Sequence, residues 1–312
     1  METFRAIGRR NLIILALSLI LVAICFALSR WVFEHGTNAH AFTDFFSVVG
    51  AAILVSLSAL WLIRRRLGSM SHRPSNDVMG FVYATIGVIY GVILGFVVVT
   101  VWQEFENASR RSDQEALTVA NLIRLSPGLP GDAEAKSQQT LMSYLDVVIN
   151  DEFPKMANGA QIDDDGIEQI NELWNIYAQS QAEGDGKAYY EEGLDQLTQL
   201  GTLRRERLLS ASEALPSIFW IVLISGGALT VGFAGAFAVE SWTLHAWMVA
   251  LLAALISVLL LLVVELNHPY RGDIRVSDHS YRFVQDQFAN GYDATSGYVI
   301  PASAEDRAPS AE

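Results

Sequence analysis

Residues 78–102 read VMGFVYATIGVIYGVILGFVVVTVW and contain no charged side chain. A helix needs about 20 consecutive apolar residues to cross the hydrocarbon core of a bilayer, and this stretch exceeds that length. Four further stretches of predominantly apolar character reach a similar length, at residues 11–33, 45–63, 216–239 and 242–264. The sequence therefore predicts an all-α, polytopic helical membrane protein with five transmembrane helices in the lipid bilayer.

The apolar spans and the charged stretches between them divide the chain into five parts. Residues 1–103 hold transmembrane helices 1–3, and residues 216–265 hold transmembrane helices 4 and 5. An acidic, helical extramembrane domain lies between them at 104–215. A juxtamembrane Pro-Tyr-x-Gly segment follows at 266–284. Residues 285–312 are rich in Gly, Ser, Ala, Pro and acids without apolar periodicity, which predicts a disordered tail.

The first span has two interpretations. Arg9 and Arg10 precede it and would suit the start of a signal peptide. Its apolar core is long for such a peptide, and Val22-Ala23-Ile24-Cys25 has Ile where a lipoprotein box requires a small residue. These features favour a retained transmembrane helix over a cleaved leader, and cleavage would leave the other four spans unchanged.

The extramembrane domain carries a strong negative charge. Residues 104–215 contain 21 acidic side chains and nine Lys or Arg, within a chain of net charge −13. Because nucleic-acid binding depends on basic patches, we expect no nucleic-acid partner. Asp132 follows the Pro- and Gly-rich breaker at 126–131 and is a plausible N-cap. An apolar stripe at helical spacing predicts a packed helix in this domain and consists of Ile167, Ile170, Leu173, Trp174 and Tyr177.

The distribution of arginines predicts an orientation in the membrane. One side would hold the N-terminus and the loop after the second span, where positive charge is dense within short stretches. The residues concerned are Arg5, Arg9, Arg10, Arg64, Arg65, Arg66 and Arg73. Under the positive-inside rule this density favours a cytoplasmic N-terminus, with 104–215 on the opposite side.

The sequence carries no signature of an enzyme or of a metal site. It has no Gly-rich phosphate loop, no His-Glu-x-x-His and no Gly-x-Ser-x-Gly motif. Asp163-Asp164-Asp165-Gly166 resembles the start of a calcium loop, but Trp174 stands where an EF-hand requires Glu. We therefore expect no cofactor, no metal and no catalytic residue. Charged residues are nearly absent inside the spans, which argues against a proton-coupled transporter.

The third span contains two adjacent rows of residues at four-residue spacing. Gly87, Gly91 and Gly95 share one face, and such small-residue faces let helices approach closely within or between subunits. One residue further on, about 100° around the helix, lies a second row. This row comprises Val88, Val92, Phe96 and Thr100. A ring of such residues around a symmetry axis would form an apolar constriction of a pore. The alternative is that the row simply meets lipid or a neighbouring helix.

Several stretches resemble a known family. Residues 92–96, Val-Ile-Leu-Gly-Phe, and 102–107, Trp-Gln-Glu-Phe-Glu-Asn, are similar to the pore-helix stretch of bestrophin chloride channels. Residues 87–90, Gly-Val-Ile-Tyr, and 269–277, Pro-Tyr-Arg-Gly-Asp-Ile-Arg-Val-Ser, resemble the bestrophin-like membrane family of bacteria and plants. The approach to the fourth span, with Leu203, Arg207 and Leu215-Pro216, follows that family loosely.

The resemblance has consequences for assembly and orientation. Bestrophins are pentameric anion channels, so it implies a homo-oligomer, an inorganic anion as permeating partner, and a neck at Val88, Val92 and Phe96. It also implies that the third span runs towards the cytosol, opposite to the orientation that the charges favour. Both orientations therefore stay open at this point.

Two functional hypotheses follow for a multi-pass protein of the plasma membrane. The first is a homo-oligomeric, bestrophin-like anion channel with an apolar neck on the third span. The alternative is a non-conducting membrane scaffold or sensor whose acidic helical domain binds a partner. Oligomeric state separates them, because a closed ring supports a pore and a monomer or dimer supports the scaffold.

Overall fold

A computed structural model describes residues 39–67, 76–160, 165–180, 184, 186–237 and 239–289. Every regular element in these ranges is helical, which confirms the all-α prediction. The α-helices in these ranges are α1 (Ala39–Leu67), α2 (Asn76–Leu125), α3 (Ala133–Val147), α4 (Phe153–Ala157), α5 (Asp165–Gln179), α6 (Gly186–Ser212), α7 (Ser217–Gly235), α8 (Trp242–Leu266) and α9 (His279–Ala289). A short 3₁₀ turn, Ser126–Gly128, follows α2, and a π-helical turn, Val148–Glu152, joins α3 to α4.

The chain forms two compact units, and each is discontinuous in sequence. The membrane unit comprises Met1–Gln103 and Ala214–Asn267. The second unit comprises Glu104–Glu213 and His268–Glu312 and contains the acidic domain.

Three of the predicted spans fall in helical stretches that are long and apolar enough to cross a membrane. Among the described residues these stretches are Val78–Gly128, Gly186–Gly235 and Trp242–Leu266. The second predicted span lies in α1, whose apolar part, Ser47–Leu62, is shorter. The first predicted span, 11–33, lies outside the described residues.

Helix α2 continues well beyond the predicted end of the third span at Trp102. It runs without a break to Leu125, although its composition changes from apolar to charged at Glu104. The reason is that no Gly or Pro interrupts residues 96–125, and the helix ends only where Pro127 and Gly128 follow. Hydropathy therefore locates the span, whereas helix breakers locate the end of the helix.

Close contact between α2 and α7 holds part of the membrane unit together. A Cβ atom added at Gly226 would lie 2.5 Å from Cδ2 of Tyr90, and one added at Gly227 would lie 3.0 Å from its hydroxyl oxygen. The Tyr90 hydroxyl donates a hydrogen bond to the Leu223 carbonyl at 3.1 Å. Helix α1 packs on α7 and α8, and α7 packs on α8. Gly226 and Gly227 on α7 thus leave the space that the Tyr90 ring occupies.

The second unit is a helical bundle around one apolar core. Helix α3 packs on α5, and α5 packs on α6. Asp132 occupies the predicted N-cap position of α3, but its side chain makes no capping hydrogen bond. It pairs instead with Lys136 at 2.7 Å, one turn along the helix.

The C-terminal part of the chain joins this core through α9. Tyr281, Val284 and Phe288 on α9 are buried, and so is Tyr270 in the preceding segment. The helix extends to Ala289, whereas the predicted tail begins at residue 285. The amphipathic spacing of Tyr281, Val284 and Phe288 explains why these last residues are ordered against the core. Residues 290–312 lie outside the described part of the chain.

Candidate functional site

The glycine row of α2 is not covered by any of the described residues. A Cβ atom added at Gly87, Gly91 or Gly95 would meet no atom within 4 Å beyond the glycine's own local backbone. Among the described residues, therefore, no helix packs closely against this row. In the described part of the membrane unit, Gly226 and Gly227 on α7 pack closely against Tyr90, a contact that the sequence analysis missed.

The adjacent row is also exposed. Val88, Val92 and Phe96 retain 67%, 52% and 70% of their accessible surface, and Thr100 is exposed as well. The Thr100 hydroxyl donates to the Phe96 carbonyl at 2.9 Å, as a threonine in an apolar helix commonly does. The opposite side of the helix is the one that packs within the chain, through Tyr90, Leu94, Val97 and Val101.

The described part of the chain thus leaves both rows largely uncovered. They cover one continuous side of α2 in the membrane unit, since the rows lie about 100° apart on the helix. Among the described residues, no group of three or more His, Cys, Asp or Glu could hold a metal ion.

A second feature, which the sequence analysis did not identify, is a cluster of charges buried in the core of the second unit. Arg207 on α6 has no accessible surface. Its guanidinium donates to both oxygens of Glu115 on α2, at 2.8 and 3.0 Å, and to Glu152 at 2.5 Å. Arg204 donates twice to the other oxygen of Glu152, at 3.1 and 2.6 Å. The Tyr144 hydroxyl donates to Glu115 at 2.6 Å. We call these five residues the buried charge cluster.

Aromatic rings enclose the central guanidinium. The Arg207 carbon Cζ lies 5.7 Å from the centre of the Phe153 ring and 5.9 Å from that of Tyr281, both within cation–π range. Tyr270 packs edge-on against Phe153 at 5.9 Å between ring centres. The sulfur of Met156 accepts from the remaining Arg207 nitrogen at 3.8 Å. Every side of Arg207 is therefore occupied.

Local backbone features bring Glu152 into the cluster. It is the last residue of the π-helical turn Val148–Glu152, and Pro154 follows. Because Pro154 has no N–H to donate to the Asn150 carbonyl, the regular α-helical bonding is lost there and the turn widens. Gly166 on α5 also approaches closely, since an added Cβ atom would lie 2.5 Å from a Glu152 oxygen and 2.9 Å from Nε of Arg204.

Burial and neighbouring charges shift the pKa values of several groups in and around the cluster. Burial raises the pKa of the Glu152 carboxyl, but the adjacent Arg207 and Arg204 outweigh that effect and hold the pKa below its usual value. Burial and a nearby carboxylate raise the pKa of the Tyr144 and Tyr281 hydroxyls well above 10. Glu152 is therefore ionised beside its two arginine partners, and the Tyr144 and Tyr281 hydroxyls are neutral at physiological pH.

A pattern in the sequence could have revealed this cluster. On α6, Leu197 and Leu200 are buried, and Arg204 and Arg207 continue the same spacing of three and four residues. On α2, Glu115 falls between Ser112 and Val119 on an equally buried stripe. A charged residue in line with a buried apolar stripe indicates a buried partner of opposite charge.

Comparison with known proteins covers both the two rows of α2 and the buried charge cluster. The profile of the Bestrophin-like domain matches residues 50–281, about three quarters of the chain. The chain belongs to the Bestrophin-like family. This confirms the family resemblance, and the match extends over the α2 rows, the buried charge cluster and the 269–277 segment. A comparison with curated protein sequences finds no match.

Solved structures of bestrophin homologues have a similar fold to this Bestrophin-like protein. A mutant of a bacterial bestrophin homologue from Klebsiella pneumoniae has 14% sequence identity and a TM-score of 0.59, and the match covers 78% of this chain and 97% of that one. Another structure of a bestrophin homologue from the same organism has 13% identity and a TM-score of 0.57, covering 76% and 94% of the two chains. At such identities the likeness shows the fold, and the chain is a membrane protein of that fold.

Proposed function

We propose that this protein forms a homo-oligomeric, anion-permeable channel in the plasma membrane, with its neck at Val88, Val92 and Phe96. Thr100 would lie at the polar end of the neck. The carrying observation is that the described residues leave both rows of α2 open although they pack against the opposite side of the helix. Membership of the Bestrophin-like family supports the same proposal.

The glycine row gives the proposed assembly its contact surface. Lipid provides no hydrophobic drive for helices to associate, so association in membranes relies on close packing and hydrogen bonds. A face of Gly87, Gly91 and Gly95 permits such close packing against a second copy. With that face occupied, the neighbouring Val88, Val92 and Phe96 would turn towards the symmetry axis.

The side chains of the neck suit an apolar gate for anions. A ring of valines excludes water unless the pore widens, so small changes in diameter control wetting. The edge of an aromatic ring carries positive partial charge, so Phe96 rings that present their edges to the pore would favour an anion over a cation. The scaffold alternative has no specific observation of this kind in its favour.

Halide flux from liposomes tests the proposal. Wild type should release halide faster than protein-free vesicles, and Phe96→Ala and Val92→Ala should change the flux several-fold because each removes bulk from the neck. The matched control is Leu251→Ala on α8, where the side chain is equally exposed but lies outside the α2 rows. Equal flux for all four proteins would count against a neck at these positions.

Native mass spectrometry of the same preparations gives the second test. A closed ring of several subunits supports the channel, and a pentamer would agree with the family resemblance. A monomer or dimer without halide flux would favour the scaffold instead.

A further inference from the structure

Three connections of the chain join the membrane unit to the second unit. They lie at the unit boundaries 103/104, 213/214 and 267/268. The first connection continues as α2, the second arrives from α6, and the third continues as the segment that leads into α9. Within the second unit, all three segments converge on the buried charge cluster.

Charged and polar side chains join the helices beside the first and second connections, α2 and α6. Arg111 on α2 donates to the Ser210 hydroxyl at 2.8 Å and pairs with Glu206 at 3.3 Å. One turn further along α2, Glu115 receives both bonds from Arg207. These contacts hold α2 and α6 together within the second unit, close to the boundaries 103/104 and 213/214.

Hydrogen bonds of hydroxyl groups join the segment that follows the third connection to α2. The Tyr270 hydroxyl donates to the Ala108 carbonyl at 3.2 Å and lies 3.1 Å from the Ser112 hydroxyl. The Ser280 hydroxyl donates to Asp113 at 2.5 Å. Tyr281 completes the enclosure of the central guanidinium from α9.

We infer that the buried charge cluster is a clamp that fixes the spacing of the three connections and thereby sets the opening of the neck. The part that concerns the neck rests on the proposed channel function. Arg207 is central because it alone bonds both carboxylates of the cluster. Removing its charge leaves Glu115 buried without an arginine partner and leaves Arg204 as the single arginine bonded to Glu152, which is strongly unfavourable.

Hydrogen exchange of the full-length protein in lipid vesicles tests the clamp itself. In Arg207→Met, backbone amides of all three connections, at 105–112, 204–212 and 268–276, should exchange at least tenfold faster than in wild type. Arg207→Lys provides a milder variant if the first does not fold, because it keeps the charge but lacks the planar fork that reaches two carboxylates. Faster exchange confined to α6 would overturn the clamp.

A tyrosine pair at the same site provides the matched control. Tyr144→Phe removes the 2.6 Å bond to Glu115, whereas Tyr281→Phe removes a buried hydroxyl that has no hydrogen-bond partner among the described residues. Tyr144→Phe should speed exchange in all three connections, and Tyr281→Phe should leave it unchanged. Equal effects of the two substitutions would contradict a role for the polar bonds of the cluster.

Halide flux from the same vesicles separates the clamp from the channel. If wild type conducts, Arg207→Lys should change the flux at least fivefold, and Tyr281→Phe should not. Loosened connections with wild-type flux would refute the control of the neck. If wild type does not conduct, the proposed function fails, and the exchange pattern alone decides whether the clamp exists.

Discussion

Substitution of two glycines in the membrane unit can distinguish helix packing within a subunit from helix packing between subunits. The change is the same at both positions, Gly91→Ala on α2 and Gly226→Ala on α7. Among the described residues, a Cβ atom at Gly91 meets nothing within 4 Å, whereas one at Gly226 falls 2.5 and 2.8 Å from two carbons of the Tyr90 ring.

The expected magnitudes follow from this geometry. At Gly226 the overlap with Tyr90 is about 1 Å relative to ordinary contact, and overpacking of this kind costs about 1–3 kcal/mol. Moving the ring also strains the hydroxyl bond to Leu223, which is worth about 0.6 kcal/mol for a typical hydrogen bond between membrane helices. At Gly91 the isolated subunit should instead gain up to about 1 kcal/mol, because Ala forms helix better than Gly.

The effect on assembly should be the reverse. If Gly91 lies in the subunit interface, each added methyl group separates the helices and weakens each interface by about 1–3 kcal/mol. That corresponds to roughly 5- to 150-fold in the association constant for each contact. Gly91→Leu should exaggerate the loss, because a larger side chain occupies the same face.

Two measurements on each variant decide the matter. Thermal unfolding in detergent should show a lower midpoint for Gly226→Ala and an equal or higher midpoint for the Gly91→Ala subunit. Native mass spectrometry should show dissociation for Gly91→Ala at a protein concentration where wild type stays assembled. An intact oligomer in both Gly91→Ala and Gly91→Leu would refute the assignment of the glycine row to the subunit interface.

Three further predictions concern the second unit. Gly166→Ala should lower the free energy of unfolding by about 1–3 kcal/mol, because its Cβ atom would displace Glu152 and Arg204 from each other; denaturant titration measures this. Gly193→Ala should destabilise similarly, since its Cβ atom would lie 2.6 Å from the Tyr177 hydroxyl, and the same titration applies. Because the pKa of Glu152 is lower in the folded protein, its contribution to stability is complete above the unfolded pKa of about 4.3 and is lost as the pH falls towards the folded pKa. Unfolding midpoints between pH 6 and 3 should therefore fall more steeply for wild type than for Glu152→Gln.

The membrane spans could be predicted from the sequence because uncharged apolar runs of this length are typical of helices in a bilayer and rare in water-soluble domains. Residues 78–102 and 242–264 needed only a count of apolar residues. The end of α2 could not be predicted in the same way, since a helix continues through a change of composition until a breaker such as Pro127 stops it. The family was predictable from short stretches on and beside α2 and from 269–277.

The details of packing were less accessible to sequence reasoning. In the sequence, a glycine looks the same whether it meets a tyrosine of its own chain, as Gly226 does, or none of the described residues, as is the case for Gly91. The charge cluster was missed because a strongly acidic stretch predicts solvated charges. Only the spacing of Arg204 and Arg207 in line with buried leucines distinguishes them from surface residues.

Because the second unit is discontinuous in sequence, its core can be completed only late in synthesis. Its N-terminal part ends at Glu213, but Tyr270, Tyr281 and Phe288 are made only after residues 214–267, which contain the last two spans. At ribosomal rates of about 5–20 residues per second, this delay lasts roughly 3–11 s. During that interval Arg207 lacks the cover of Tyr281, and part of the apolar core is exposed to water. Completion of the core of the second unit thus requires that residues 214–267 have already been synthesised, and a chain arrested before residue 268 would lack Tyr270, Tyr281 and Phe288.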